Sequence, residues 1–106
     1  MIQCRFLVDS ENACCVGIEF SGHAGGEKGT DIVCAAVSSA VYLTANAVTD
    51  VLFVKADITA EDGYLRLQIP VADEPKCRPF FRALEVHIQN LREEYPKSIN
   101  MSNKEV

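Results

Sequence analysis

Between residues 31 and 53 the chain reads DIVCAAVSSAVYLTANAVTDVLF, its most apolar run. A stretch of this kind either crosses a membrane or needs protein to bury it. A span needs about 20 largely apolar residues with few or no charges. Asp31, Asn46 and Asp50, with several Ser and Thr, interrupt this one. The run is therefore expected to be a buried helix. Val33, Ala36, Val37, Ala40, Leu43, Ala47, Val51 and Leu52 give it a broad apolar face. It is rich in small residues and apolar on more than one side. Either a second copy of the chain covers the surplus, making a homodimer, or the rest of the fold does.

The segments on either side supply the cover. Ile2, Cys4, Phe6 and Val8 alternate with polar residues, the pattern of a half-buried strand. Residues 9–12, Asp-Ser-Glu-Asn, are a turn, and a hairpin partner follows with Cys14, Val16, Ile18 and Phe20 inward. Cys15, Gly17, Glu19 and Ser21 take its opposite face. After the helix, residues 55–59 read as a third strand, Glu61-Asp62-Gly63 as a tight turn, and residues 64–69 as a fourth strand with Leu65, Leu67 and Ile69 inward. Residues 70–79 read as irregular. A second helix is expected from about 79 to 95, with Phe80, Leu84, Ile88, Leu91 and Tyr95 at helical spacing and Pro96 ending it. The order is ββαββα: an α+β domain over residues 1–96, with a four-stranded, mostly antiparallel sheet and two helices. Residues 97–106 are expected to be a frayed polar tail.

The chain has 106 residues, enough for one domain and one core. Its net charge of −5 shows no basic excess, so direct nucleic-acid binding is not expected, whereas a basic protein partner suits it. No leader segment is apparent. The five cysteines, Cys4, Cys14, Cys15, Cys34 and Cys77, match no disulfide framework and contain no C-x-x-C pair. A reducing, cytoplasmic setting is expected, with no metal and no cofactor.

Chemistry concentrates where the second strand meets the first helix. Asp31, or alternatively Thr30, has the character of a helix N-cap. Cys34 then falls in the first turn, where unpaired N–H groups and the helix dipole favour an anion. A thiol that ionises near pH ~8.5 is brought to roughly 3.5–7.5 at such positions. His23 stands on the other side of a glycine-rich loop, close enough in sequence for the turn to bring it to Cys34 as a base. Helix N–H groups are placed to hold an oxyanion. Ser38 lies one turn after Cys34, Asp31 can orient His23, and Gly22 allows close backbone approach. Each has a duller reading. A helical cysteine is commonly a small buried hydrophobe. A histidine at a strand end is commonly a turn residue, Asp31 only a cap, and Ser38 only a small packing residue. His87, near the apolar stripe of the second helix, reads as structural or exposed.

The segment GHAGGEKGTDIVCAAVS, residues 22–38, resembles the bacterial ribosomal-processing cysteine proteases called Prp. The resemblance extends over nearly the whole chain in length and element order. It implies a Cys–His dyad, here Cys34 and His23, and a homodimer. It also implies a flexible loop over the active site, here Gly25, Gly26, Glu27, Lys28, Gly29 and Thr30. The implied substrate is the precursor of large-subunit ribosomal protein twenty-seven, which loses a short N-terminal extension after a pair of phenylalanines. Two other readings stand beside it. One is a non-catalytic ribosome-associated binding protein. The other is a thiol redox sensor, in which Cys14 or Cys15 approaches Cys34 in space.

Overall fold

A computed structural model of the chain describes residues 1–22 and 30–106, with only the backbone of Thr30 and Asp31. Strand β1, Ile2–Val8, and strand β2, Cys15–Ser21, form the expected antiparallel hairpin. Helix α1, Thr30–Asn46, continues as one wider π-helical turn, Ala47–Val51. It stops where Phe53 adopts φ +54°. Strands β3, Asp57–Glu61, and β4, Tyr64–Gln68, meet at the two-residue turn of Asp62 and Gly63. A single 3-10 turn, Val71–Asp73, leads into helix α2, Glu74–Glu94, and strand β5, Ile99–Glu105, follows.

The sheet has five strands in the order β3-β4-β2-β1-β5, not four. The segment expected to fray is β5. It pairs parallel to β1 in full register, from Ile2 with Ile99 to Val8 with Glu105, which makes the sheet mixed. Its composition hid it, because only Ile99 is buried and Met101 partly so. The strand exists because β1 offers an open edge, a tertiary cause with no local pattern. Lys104 and Glu105 suit an edge strand, where charge discourages further pairing.

Both helices pack on one face of the sheet. Ile2, Cys4, Phe6, Ile18, Phe20, Leu65 and Leu67 point into that core as expected. A register shift between Leu7 and Val8 pairs Leu7 with Gly17 but Val8 with Cys15. Beyond that bulge the simple alternation fails. Leu7 is fully buried on the other face, over Gly17. A Cβ on Gly17 would lie 2.1 Å from the Leu67 carbonyl oxygen and 3.0 Å from Leu7 Cδ1.

On α1 the buried stripe is Val33, Val37, Val41, Ala45 and Val48. Leu43 and Val51, expected inward, are 71% and 66% exposed. Residues 32–51 are long and apolar enough to span a membrane, yet this stripe anchors them in the core. The second helix begins five residues early. Pro75 occupies its first turn, where a missing N–H costs nothing, while Pro79 lies inside and removes one hydrogen bond. The early start sets the phase of the helix. Cys77, Phe81, Leu84 and Ile88 are buried, whereas Phe80 and Tyr95 are 37% and 36% exposed.

Candidate active site

Strand β2 ends at Ser21 and leads to Gly22, whose backbone takes φ +93°. Only glycine adopts that region without strain. A Cβ at Gly22 would also sit 2.6 Å from the carbonyl oxygen of Met1. The Gly22 N–H donates to the Gly63 carbonyl at 3.0 Å, so the β3–β4 turn fixes the point where the chain leaves the sheet. Gly63 takes φ +73°, as the Asp-Gly pair foreshadowed. His23, Gly25, Gly26, Glu27, Lys28 and Gly29 lie outside the described residues, as do the side chains of Thr30 and Asp31.

Helix α1 starts at Thr30, which makes Asp31 its second residue and not the residue before it. Cys34 is consequently the fifth residue of the helix and opens its second turn. The N–H groups without intrahelical partners belong to the four residues before it. An anion at the Cys34 sulfur therefore sits two residues further into the helix than an Asp31 cap placed it.

Cys34 is half-buried and lines a cleft of about 500 Å³ between α1 and one end of the sheet. That volume is within the usual range of ligand sites. Ile2, Phe20, Val37, Val41 and Leu65 make an apolar, buried floor. Gly22, Ser38 and Tyr42 are exposed at the rim, and residues 60–63 close the other side. The structure thus brings Gly22, Cys34 and Ser38 to one cleft. Sequence reasoning passed over Tyr42 and Ala60. The signal for Tyr42 was its spacing, two i+4 steps after Cys34 on one helix face. Nothing local marked Ala60.

Among the described residues, Cys34 is the only cysteine that lines this cleft. Cys4 and Cys77 are fully buried; burial pushes the Cys4 thiol up to about 12 and raises that of Cys77. Cys14 and Cys15 line a different cleft of about 450 Å³, against Glu74, Arg78 and Phe81 of α2. Burial also raises the Cys15 thiol. Among the described residues the two clefts share no lining residue, so Cys14 and Cys15 line a separate cleft from Cys34. His87 is exposed on α2 and does not line the Cys34 cleft. Among the described residues, no three His, Cys, Asp or Glu side chains gather as a metal site requires.

Glu19, on the face of β2 opposite its apolar residues, is only 6% exposed. Tyr64 Oη donates to its carboxylate at 2.8 Å, and Arg5, Arg66 and Lys104 lie within 3.5, 3.6 and 3.5 Å. Burial acts to raise its pKa, but the Tyr64 hydrogen bond and the Lys104 and Arg5 charges outweigh it and hold the carboxyl below its usual range. This cluster secures β4, and with it the turn that holds Gly22.

Similarity to known proteins gives the family of the chain. The family model for cysteine protease Prp matches residues 1–100. The chain belongs to the Prp cysteine protease family. Like the rest of the family it is a cysteine protease. A ribosomal processing cysteine protease Prp of Staphylococcus aureus (strain Mu50) is 29% identical over 86 residues, covering 78% of this chain and 81% of that protein. The crystal structure of S. aureus Prp in complex with a substrate peptide is similar at TM-score 0.85 and 26% identity, covering 98% of this chain and 100% of that one. A Streptococcus mutans protein of solved structure is similar at TM-score 0.84 and 28% identity, covering 100% and 99%. The Prp fold thus extends through β5, and the catalytic reading displaces the non-catalytic one.

Proposed function

We propose that the chain is an endopeptidase that removes the N-terminal extension of large-subunit ribosomal protein twenty-seven, with Cys34 as nucleophile and His23 as base. The observation that carries this reading is the position of Cys34, the one cysteine at the mouth of an apolar-floored cleft. The relatives' role in ribosomal processing supplies the substrate class.

The Cys34 thiolate attacks the scissile carbonyl carbon, and the carbonyl π electrons move onto oxygen. N–H groups at the start of α1 stabilise that oxyanion. As the tetrahedral intermediate collapses, the C–N bond breaks and the His23 imidazolium gives its proton to the leaving amine. His23 then takes a proton from water, whose hydroxide attacks the thioester. The C–S bond then breaks, the acid product leaves and the Cys34 thiolate–His23 imidazolium pair is restored. Gly22 positions His23 by fixing the exit from β2. Ser38 and Asp31 support the site. Apolar side chains such as the phenylalanines before the scissile bond fit the cleft floor.

The working unit in this proposal is a homodimer in the cytoplasm. Ile32, Leu43, Val51 and Phe53 are 66–80% exposed on and just after α1, an apolar surface that a second copy would cover. The body's charge of −5 favours a basic ribosomal precursor. Mass spectrometry of the precursor peptide incubated with wild type, Cys34→Ala and His23→Ala tests the reading. Wild type is expected to give one cut after the phenylalanine pair and the variants none; cutting by Cys34→Ala would overturn it.

A further inference from the structure

The two walls of the Cys34 cleft differ in kind. One is a helix face on which Cys34, Val37, Ser38, Val41 and Tyr42 recur at spacings of three and four. The other is a row across the end of the sheet, in which Phe20 pairs with Leu65 and Leu65 with Ala60. Phe20, Leu65, Val37 and Val41 are buried, whereas Tyr42 is 50% exposed and Ala60 exposed on the outermost strand. The large floor therefore opens to solvent between one aromatic ring and one methyl group. Had Ala60 been as large as Ile58, two residues earlier on the same face, the opening would be narrowed.

Distance along the helix sets the register. Tyr42 lies eight residues beyond Cys34, about 12 Å along the axis at ~1.5 Å per residue. An extended peptide covers that span in about three to four residues at ~3.3 Å each. We propose that Tyr42 and Ala60 are specificity-determining residues. They bound a subsite for a large apolar side chain three to four positions along an extended peptide from the bond Cys34 attacks. The inference rests on the peptidase reading and adds where, beyond the residues at the bond, the substrate is read. The flat ring of Tyr42 packs on the side chain, and the small Ala60 leaves the space that it fills.

The test uses a peptide carrying the precursor's extension and junction, with each residue up to five positions on either side of the bond changed singly to Ala. Cleavage is followed by mass spectrometry with wild type, Ala60→Leu, Ala60→Val and Tyr42→Ala. Ala60 is exposed on an edge strand and β-branched residues favour strands, so Ala60→Val keeps the fold even where Ala60→Leu does not. For wild type, loss of one apolar side chain three or four positions from the bond is expected to lower kcat/KM about tenfold. Enlarging Ala60 is expected to erase that preference, and Tyr42→Ala to raise KM with kcat held. Indifference of the wild type beyond the second position, or unchanged selectivity in the variants, overturns the proposal while leaving the peptidase reading intact. Fluorescence anisotropy of the labelled peptide on the Cys34→Ala protein gives a readout independent of cutting. Binding that enlarging Ala60 fails to weaken also overturns the subsite, whether or not the wild type cleaves.

Discussion

The amide of Gly22 is bound to the carbonyl of Gly63 at 3.0 Å, which couples the strand that leads to His23 with a turn 41 residues further along the chain. Replacing Gly22 by Ala imposes a φ that L residues avoid and drives a Cβ against the Met1 carbonyl. A cost of about 1–3 kcal/mol is expected. The measurements are a thermal melt and kcat/KM on the precursor peptide, and both should fall. A Gly22→Ala protein with wild-type melting and cleavage would show that the exit geometry is not needed.

The Glu19 carboxyl is held below its ordinary value of 4.5 in the folded chain. Between the folded and unfolded values the unfolded chain binds more protons. The stability Glu19 contributes is therefore complete above about pH 4.5 and is lost as pH falls through the lower, folded value. Urea midpoints measured from pH 7 to pH 3 should decline below that point. In Glu19→Gln the decline should be shallower and the neutral-pH midpoint lower, since Arg5, Arg66 and Lys104 lose their common anion.

Alkylation separates the five cysteines. Cys4 and Cys77 are fully buried with raised thiol pKa values, so they should resist iodoacetamide at pH 7.5 until the chain is unfolded. Cys34, half-buried at the cleft, should label in the folded protein. Peptide mapping by mass spectrometry reads the order. Labelling of Cys4 before Cys34 would contradict the packing described above.

Ile99 is 2% exposed and is the main apolar anchor of β5. Ile99→Ala should cost about 2–5 kcal/mol, the usual range for emptying such a core position. A frayed tail would predict no effect, so chemical denaturation distinguishes the two.

Leu43 is 71% exposed, and a charge there should leave the folded monomer nearly unchanged. If a second copy covers α1, Leu43→Glu should shift sedimentation from dimer to monomer with little change in melting at high dilution. A wild type that sediments as a monomer would remove the dimer proposal.

The sequence made some of this architecture plain and concealed the rest for definable reasons. The β1–β2 hairpin, the Asp62-Gly63 turn and the long first helix follow from local periodicity and turn chemistry. Local rules failed where a tertiary contact decided the outcome. Strand β5 is set by the open edge of β1, the phase of α2 by burial of Cys77, and the burial of Glu19 by three cations from three other strands. The site divides in the same way. Cys34 stood out from its place after a glycine-rich turn and Ser38 from its helical spacing, and both line the cleft. The hairpin tip that closes the cleft comes from residues 60–63, too far along the chain for any local signal to connect them.

The parallel pairing of β1 with β5 also bears on how the chain is made. Strand β1 leaves the ribosome long before β5 and finds this neighbour only when residues 99–105 have emerged, so the full sheet cannot assemble on a nascent chain that lacks them. Tethered chains halted before residue 99 should remain sensitive to added protease, and only release of β5 should confer resistance. An enzyme that trims others is thus kept from maturing until its β5 segment has been made.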